Sequence, residues 1–396
     1  MSFSRMFGSG IYGAAALLLL AVVSAVPASA QSLFAGSGLG YAAEPLDARA
    51  RGLGGVGLGL AEPNLSLLNP ASVAGLLAPT VHVTVQSDQF TSTYADTEAS
   101  GGTVRFPIIH VALPFRERWT ASIAYGSFLD RNWGVQRDTT FAIGTDTFQV
   151  RDRFASRGGV ARLRLGGAYR LMDELALGAS VDLYTGSARD TIYRIFPETL
   201  LRPAVTASAQ RFGGFGFGAG ARWSPTEALS VSASASAGGQ LEVRPADDAE
   251  PTATFDLPVQ LAAGASGRIT PTTLLAVSAR WAGWSSVGGG LTEPGNARDV
   301  VSLSGGVEWD ALRFGDRVIP LRLGVRSGEL PFRAMGAGAD AGWAREQAVT
   351  AGAGLLLGGG AAILDAAVER GRRDGEAVDL VEDFWRFGFS LTVLGR

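Results

Sequence analysis

Residues 160–171 read Val-Ala-Arg-Leu-Arg-Leu-Gly-Gly-Ala-Tyr-Arg-Leu, and successive residues alternate in character. The apolar and small set is Ala161, Leu163, Leu165, Gly167, Tyr169 and Leu171, whereas Arg162, Arg164 and Arg170 fall on the opposite face. Alternate side chains of a β-strand point to opposite faces of its sheet. Because three arginines do not fit the dry core of a soluble sandwich, the stretch favours a strand with lipid outside and a polar, hydrated interior.

The same alternation recurs from Thr80 to the end of the chain. In 229–237 apolar residues alternate with four serines, in 321–327 Arg322 and Arg326 alternate with leucine and valine, and in 385–393 aromatic residues alternate with Arg386 and small polar residues. The predicted strands that contain these stretches are long enough for a tilted transmembrane strand, which needs roughly 9–11 residues. We therefore predict an all-β protein, a transmembrane antiparallel β-barrel of about 14 strands in the bacterial outer membrane.

The predicted strands and loops follow an alternating pattern of lengths. The strands are 80–90, 103–113, 119–129, 157–171, 175–187, 207–223, 228–243, 255–269, 274–287, 299–310, 319–328, 346–357, 361–372 and 383–394. Long connections such as 130–156 and 188–206 alternate with short ones such as 172–174. This asymmetry is typical of barrels with short periplasmic turns and long extracellular loops.

Aromatic residues support the predicted orientation of the barrel, with the short turns on the periplasmic side. Four of them fall at strand ends next to the short turns, and together they predict a periplasmic girdle: Trp119, Tyr169, Trp223 and Trp309. Trp281, Trp284 and Trp385 are expected higher on the wall.

The N-terminus predicts export. Residues 1–30 contain Arg5, an apolar core from Ile11 to Val26 and the small residues Ala28-Ser29-Ala30, which is the layout of a signal peptide cleaved before Gln31. Among 396 residues, 46% are hydrophobic, 54 are glycine and none is cysteine, so a lipoprotein anchor, a disulfide framework and a thiol-ligated metal site are excluded. We expect a signal peptide at 1–30, an N-terminal plug at 31–79 and the barrel at 80–396.

The plug is predicted from residues 48–76, which combine a glycine-rich run with Asn-Pro turn chemistry. The residues on which this prediction depends are Gly54, Gly55, Asn69, Pro70 and Ala71. A generic glycine-rich linker is the alternative for the segment taken alone. Behind a signal peptide and ahead of strands with an arginine-rich inner face, it is expected inside the barrel mouth as a hatch.

The spacing from Arg49-Ala50-Arg51-Gly52 to Asn69-Pro70-Ala71, the strand number and the aromatic final strand resemble the FadL/TodX-type outer-membrane transporters of hydrophobic compounds. Departures are Ser72 after the Asn-Pro-Ala motif and Leu67-Leu68 before it. The resemblance implies passive uptake of hydrophobic compounds such as long-chain fatty acids, with a hatch closing the lumen and a ligand leaving sideways through the wall. It also implies no cofactor, with lipid and a hydrophobic ligand as partners.

Two sets of residues are candidate ligand contacts. The apolar part of loop 188–206 is a candidate access point for a hydrophobic ligand, through Tyr193, Ile195, Phe196, Leu200 and Leu201. A loop packing over the barrel mouth is the alternative. Five inward arginines are candidate anchors for the carboxylate of an acidic amphiphile, and these are Arg162, Arg164, Arg322, Arg326 and Arg386. The alternative for them is a structural salt-bridge lattice that ties hatch to wall.

Other functions were weighed on the same residues. His82 and His110 are the two histidines of the chain, and neither has a recognisable catalytic partner, so we expect no enzyme. Nucleic-acid binding is not expected at a net charge of −3. FadL-like barrels also include PorV-type platforms and shuttles for protein secretion or assembly, so a protein-binding role is the alternative to transport.

Overall fold

The computed structural model describes residues 32–60, 64–94, 97–196, 202–246, 250–291, 295–314, 317–334, 342–375 and 378–395. The expected signal peptide lies outside these ranges. The strands are β1 (Tyr41–Ala42), β2 (Thr80–Tyr94), β3 (Thr97–Phe115), β4 (Trp119–Asp130), β5 (Trp133–Ile143), β6 (Asp146–Arg170), β7 (Leu175–Ile195), β8 (Ala204–Thr226), β9 (Leu229–Pro245), β10 (Ala253–Asp256), β11 (Gln260–Thr270), β12 (Thr273–Ala282), β13 (Val300–Phe314), β14 (Arg317–Glu329), β15 (Arg345–Leu357), β16 (Ala362–Asp374) and β17 (Leu380–Leu394). One short α-helix, α1 (Ala48–Gly52), and 3-10 turns at Leu33–Gly36, Pro70–Val73, Trp284–Gly290 and Gly358–Gly360 complete the described elements.

Fourteen of the described strands form one closed antiparallel barrel. They are β2–β4, β6–β9 and β11–β17, and β17 closes the barrel on β2 from Leu380↔Tyr94 to Leu394↔Thr80. The predictions of an all-β fold and of about fourteen antiparallel strands are confirmed. Closure removes the sheet edges that would otherwise expose unpaired backbone groups to lipid.

The two faces of the wall differ as the alternation predicts. Arg162 and Arg164 are buried towards the lumen, while Leu165 on the same strand is exposed on the outside. The outer face presents large apolar side chains, among them Phe217, Val277, Leu303, Leu323 and Val349. A barrel with this apolar outer band is an outer-membrane protein. Among the described residues no helix is long and apolar enough to cross a bilayer.

The periplasmic aromatic residues lie together at one rim. The side chains of Trp119, Trp223 and Trp309 are exposed on the outer face, and the ring of Trp119 lies 4.6 Å from that of Tyr169, centroid to centroid. Amphipathic rings at this height suit the boundary between lipid and water.

Two predicted loops are wrong over most of their length. Within 130–156, β5 and the upper part of β6 form a hairpin around Gly144, paired from Trp133↔Ser156 to Ile143↔Asp146. Within 188–206, β7 continues to Ile195 and β8 begins at Ala204. The sequence does not mark these parts of the strands by alternation, because above the membrane neither face of a strand must be apolar.

Two predicted strands are also corrected. The segment 255–269 is divided into β10 and β11 at Pro258, which has no amide hydrogen to donate to a ladder. The segment 274–287 ends at Ala282, and the chain then turns inward. Trp284 is therefore buried inside the barrel mouth and does not lie on the outer wall.

The buried apolar side chains at the extracellular end form what we call the mouth cluster. Its larger members are Leu39, Phe128, Tyr184, Phe212, Leu257, Trp284 and Phe332. The ring centroid of Trp284 lies 5.9 Å from that of Phe128 and 5.5 Å from that of Phe332. An apolar layer therefore covers the polar lumen on the extracellular side.

The barrel wall is interrupted between β3 and β4. Their ladder runs from Phe115↔Trp119 to Ile108↔Gly126 and stops at Pro107, which cannot donate a backbone hydrogen bond. Above this point β3 pairs with β2, and β4 has a register shift against β6 at Phe128. We call the interruption the wall gap.

Strand β1 fills part of the wall gap. It pairs with β4 through Tyr41↔Asp130 and Ala42↔Leu129, and the amide of Ala43 donates to the Phe128 carbonyl at 2.9 Å. A segment from the N-terminal part of the chain thus takes the position that the upper half of β3 would occupy in an uninterrupted wall.

Residues 32–60 and 64–79 lie against the inner wall. Helix α1 packs on β14–β17, and the Pro70–Val73 turn packs on β6–β8. Wall glycines make room for this segment: a Cβ on Gly324 would lie 2.1 Å from the Gly54 nitrogen, and one on Gly178 would lie 2.3 Å from the Ala71 nitrogen. The absence of side chains at these wall positions lets two backbones touch.

We predict that Gly324→Ala destabilises the protein by about 1–3 kcal/mol, because the added methyl group has no space beside Gly54. Urea unfolding of the refolded protein in lipid vesicles, followed by tryptophan fluorescence, measures the effect. Gly167→Ala is the matched control, since a Cβ there meets nothing within 4 Å. Equal stability of the two variants would contradict the close packing of this segment on the wall.

Candidate functional site

The structure places the predicted hatch residues at two contacts with the wall. Asn69 caps the Pro70–Val73 turn by accepting a hydrogen bond from the Ala71 amide at 2.9 Å, and its side chain donates to the Ala221 carbonyl of β8 at 3.0 Å. Gly54 adopts a φ of +75°, and its amide donates to the Thr350 hydroxyl of β15 at 2.9 Å. Gly55 follows with a φ of +89°. The Asn-Pro-Ala motif thus attaches the later part of the N-terminal segment to β8, and Gly54 attaches the earlier part to β15.

Helix α1 presents two arginines to the wall. Asp47 caps the helix by accepting from the Ala50 amide at 2.6 Å, and this fixes the direction of the following residues. Arg51 then pairs with Glu369 at 2.8 Å, and Arg49 pairs with Glu308 at 2.8 Å. The helix is therefore tied to β16 and β13 by charge.

Glu369 is the centre of the largest charge cluster. It is fully buried and is contacted by three guanidinium groups: Arg51 at 2.8 Å, Arg326 at 2.9 Å and Arg386 at 2.9 Å. The contacts from Arg51 and Arg386 are charge-assisted hydrogen bonds, which are the strong class, and the contact from Arg326 is an ion pair. Arg386 also reaches Asp88 of β2 at 3.0 Å, so the cluster crosses the seam that closes the barrel.

Four of the five candidate anchor arginines are occupied by carboxylates of the protein. Arg164 binds Asp182 at 2.6 Å, and Arg322 binds Glu308 at 2.6 Å and Asp365 at 2.7 Å. Arg326 and Arg386 share Glu369. Their geometry matches the alternative of a salt-bridge lattice that ties hatch to wall.

Arg162 differs from these four. Its side chain is almost fully buried, its nearest carboxylate contact is Asp182 at 3.9 Å, and its Nε has no hydrogen-bond partner among the described residues. Asp182 already binds Arg164 through both oxygens. Arg162 is therefore a buried guanidinium without a carboxylate of its own.

Arg162 lines a cavity of about 130 Å³ beneath the mouth cluster. Its lining combines polar side chains, including Ser234, Ser236 and Gln260, with apolar ones, including Phe128 and Trp284. A mixed lining of this kind suits an amphiphile, whose polar head and apolar body need different surroundings.

Glu44 and Tyr41 link the same cavity to the wall gap. Glu44 accepts from Arg280 and Arg326, and the Tyr41 hydroxyl donates to Glu346 at 2.7 Å.

Several carboxylates of the lattice were missed by the sequence analysis. They are Glu44, Asp88, Glu346 and Glu382, which pair with Arg326, Arg386 and Arg373. Asp88 could have been identified from the sequence, because it occupies an inward-facing position in the alternation of its strand. Glu44 lies in an irregular segment, where no periodicity assigns a face.

Two of the residues proposed for ligand access are in a strand and not in a loop. Tyr193 and Ile195 lie in β7 with their side chains exposed, and Phe196 follows the strand. Leu200 and Leu201 lie outside the described residues. Within the described ranges no cluster of three or more metal-ligating side chains is found.

We predict that Glu369→Gln lowers the free energy of unfolding by about 3–5 kcal/mol, because it leaves three buried guanidinium groups without their shared carboxylate. Chemical denaturation in vesicles measures the loss. Asp138→Asn is the control, since it breaks an exposed pair with Arg151, and it is expected to leave stability unchanged. A small effect for both variants would mean that the lattice does not stabilise the fold.

Comparison with known proteins gives a family and a fold. A protein-family model described as BamG matches residues 12–255 of the chain. No curated protein sequence is significantly similar to it.

Several solved structures share the fold at low sequence identity. The CymD monoaromatic hydrocarbon channel is 16% identical with a TM-score of 0.57, over 91% of this chain and 98% of that one. A Pseudomonas aeruginosa FadL homologue is 14% identical with a TM-score of 0.60, over 89% and 99%. The Pseudomonas putida toluene transporter TodX is 14% identical with a TM-score of 0.56, over 89% and 98%. The predicted FadL/TodX-type fold is therefore confirmed.

Proposed function

The chain belongs to the BamG family, and we propose that it conducts hydrophobic compounds passively through the outer membrane. The observation that carries the proposal is the wall gap, where a barrel strand loses its neighbour at Pro107 directly beside the apolar mouth cluster. A passage through the wall would let an apolar ligand reach the lipid without crossing the charged lumen. Contact with the charged side chains there provides no favourable free energy for an apolar group.

The structurally similar proteins support the same proposal. CymD is described as a monoaromatic hydrocarbon channel and TodX as a toluene transporter. Identities of 14–16% establish a shared architecture, and function must be argued from the site. The sites relevant here are the mouth cluster, the cavity at Arg162 that borders it and the wall gap, which is filled by β1 beside both.

The ligand class we propose is an acidic amphiphile such as a long-chain fatty acid. Arg162 would hold the carboxylate, because it is buried, borders the cavity and lacks a carboxylate of its own. The apolar chain would lie against Phe128 and Trp284. The four other candidate arginines remain assigned to the structural lattice.

A disulfide across β1 and β4 tests the route through the wall gap. Ala42 and Leu129 are direct partners next to the hydrogen-bonded Ala43–Phe128 position, so they form the closely spaced type of antiparallel pair. Ala42→Cys with Leu129→Cys is expected to abolish oleate uptake when oxidised and to restore it on reduction, since the chain has no other cysteine.

The assay uses a bacterial host that lacks its own fatty-acid transporter, and each single cysteine variant is a control. Uptake that continues with the disulfide formed would exclude the wall gap as the route. Absence of uptake in the unmodified protein, together with a stoichiometric protein partner on purification from detergent, would favour a platform.

Substitution of Arg162 tests the ligand class. Arg162→Gln is expected to weaken oleate binding about 10–100-fold, because a hydrogen bond to a charged group contributes about 1.5–3 kcal/mol. Binding of methyl oleate should not change, and Arg153→Gln on the exposed face of β6 is the matched control. Tryptophan quenching on titration measures both affinities. Equal loss for acid and ester would show that Arg162 is not a carboxylate anchor.

A platform for protein secretion or assembly is the second candidate. It is favoured by the lattice, which ties the N-terminal segment to the wall through buried charges, and by the small volume of the cavity, about 130 Å³. The β5–β8 sheet also extends above the wall with exposed apolar side chains, including Val135, Tyr193 and Val205. Exposed apolar surface of this kind suits a protein interface.

We propose no catalytic activity. The His82 ring is bonded to Thr84 and Thr392 at 3.0 and 2.7 Å, and His110 is bonded to the Leu65 carbonyl at 3.1 Å. Both histidines thus serve contacts inside the barrel, whereas a general base needs an oriented nucleophile beside it.

A further inference from the structure

The outer wall carries a groove on β13–β17 that the transport proposal does not use. Its volume is about 560 Å³, and most of its lining is apolar, with Leu303, Gly305, Val325 and Val349. Gly305 has no side chain, and this leaves a recess between the larger residues on either side. The groove faces lipid, because these positions share the outward parity of their strands.

The groove ends at the boundary between apolar and polar rows of the outer surface. The cross-strand register aligns Val325, Val349, Arg370 and Trp385 in one row. The next row towards the extracellular side is polar and consists of Ser327, Gln347, Arg372 and Asp383. The row below it is apolar and consists of Leu323, Ala351, Val368 and Phe387.

Arg370 breaks this pattern. It is an outward-facing charge level with Val325, Val349 and the exposed ring of Trp385, where lipid-facing positions are otherwise apolar. A charged side chain on the lipid face is unfavourable without a partner, the more so the deeper it lies. Arg370 has protein partners, the Phe384 carbonyl at 3.1 Å and the Asp383 carboxylate at 3.2 Å, and its position marks the height at which the polar lipid headgroups begin.

The two guanidinium groups are held in place and remain accessible. Arg370 binds Asp383 at 3.2 Å and lies 5.5 Å from the centroid of the Trp385 ring, and 40% of its side chain is exposed. Arg372 binds Asp374 at 2.8 Å, and 55% of its side chain is exposed. Both border the groove together with Gln347. Fixed guanidinium groups at a membrane boundary suit phosphate, which they bind with planar, two-pronged geometry.

We propose that this groove binds a membrane lipid of the outer leaflet that carries a phosphate in its headgroup. The acyl chain lies along Leu303, Val325 and Val349, and the phosphate lies between Arg370 and Arg372. The exposed guanidinium groups select a phosphate-bearing lipid over an uncharged hydrocarbon, and the apolar floor selects a lipid over a free phosphate ion. Asp383 also lines the groove and contacts Arg370 at 3.2 Å and Arg372 at 3.8 Å, and Asp374 contacts Arg372 at 2.8 Å. These carboxylates hold the two arginines while part of each arginine side chain stays exposed.

Native mass spectrometry of the detergent-purified protein with dioleoylphosphatidylglycerol tests the proposal. One lipid adduct is expected on the unmodified protein. Arg370→Gln with Arg372→Gln should reduce the adduct about tenfold, as expected for loss of charge-assisted hydrogen bonds. Arg151→Gln with Arg153→Gln removes two exposed guanidinium groups elsewhere on the extracellular side and should leave the adduct unchanged.

Val349→Trp provides a second variant that keeps every charge. It fills the groove with a side chain that the membrane boundary tolerates, and it should also reduce the adduct. Equal retention of dioleoylglycerol, which has no phosphate, or displacement of the lipid by inorganic phosphate alone would overturn the proposal. So would an adduct that survives both the double arginine variant and Val349→Trp.

Discussion

The structure depends on the pairing of buried charge inside a closed barrel. Glu369 accepts hydrogen bonds from Arg51 of the N-terminal segment and from Arg386 of the wall, and it forms an ion pair with Arg326 of the wall, so one carboxylate joins three separate parts of the chain. Burial of an arginine without a partner costs several kcal/mol, and removal from water becomes tolerable when each guanidinium finds a carboxylate. The segment and the wall therefore share ion pairs: Arg49 and Arg51 of the segment pair with Glu308 and Glu369 of the wall, and Glu44 of the segment pairs with Arg280 and Arg326.

Close backbone contact gives that pairing its geometry. Gly324 and Gly178 lie where the N-terminal segment touches the wall, and Gly54 has the positive φ that carries its backbone into the contact. A side chain at Gly324 would push away the backbone that follows α1 and lengthen the ion pairs of that helix, and one at Gly178 would push away the Pro70–Val73 turn. Arg162 is the exception within the lattice, since it is buried beside a cavity with the nearest carboxylate at 3.9 Å. This weakly paired guanidinium is the basis of the proposal that the cavity prefers a ligand with a carboxylate.

The break in the wall follows from one residue type. Pro107 withholds the amide hydrogen that the β3–β4 ladder needs, and β4 then offers its free edge to β1. The interruption lies between the apolar mouth cluster and the charged lumen. Transport and platform functions place different demands on it: a channel must open the contact of β1 with β4, whereas a platform can keep it closed.

The sequence by itself determined the alternation of faces, the number of barrel strands and the inward position of Arg162, Arg164, Arg322, Arg326 and Arg386. These follow from a period of two, which is a local property of each strand. Prediction from the sequence failed where this period is absent. Strand β5 lies above the membrane, where both faces are solvated, and Trp284 lies in a turn whose direction no periodicity fixes. Only the tertiary structure decided that Arg386 meets Asp88 and that Arg51 meets Glu369. Partner choice depends on the register in which the barrel closes and on the path of the N-terminal segment through it, and both join residues hundreds of positions apart.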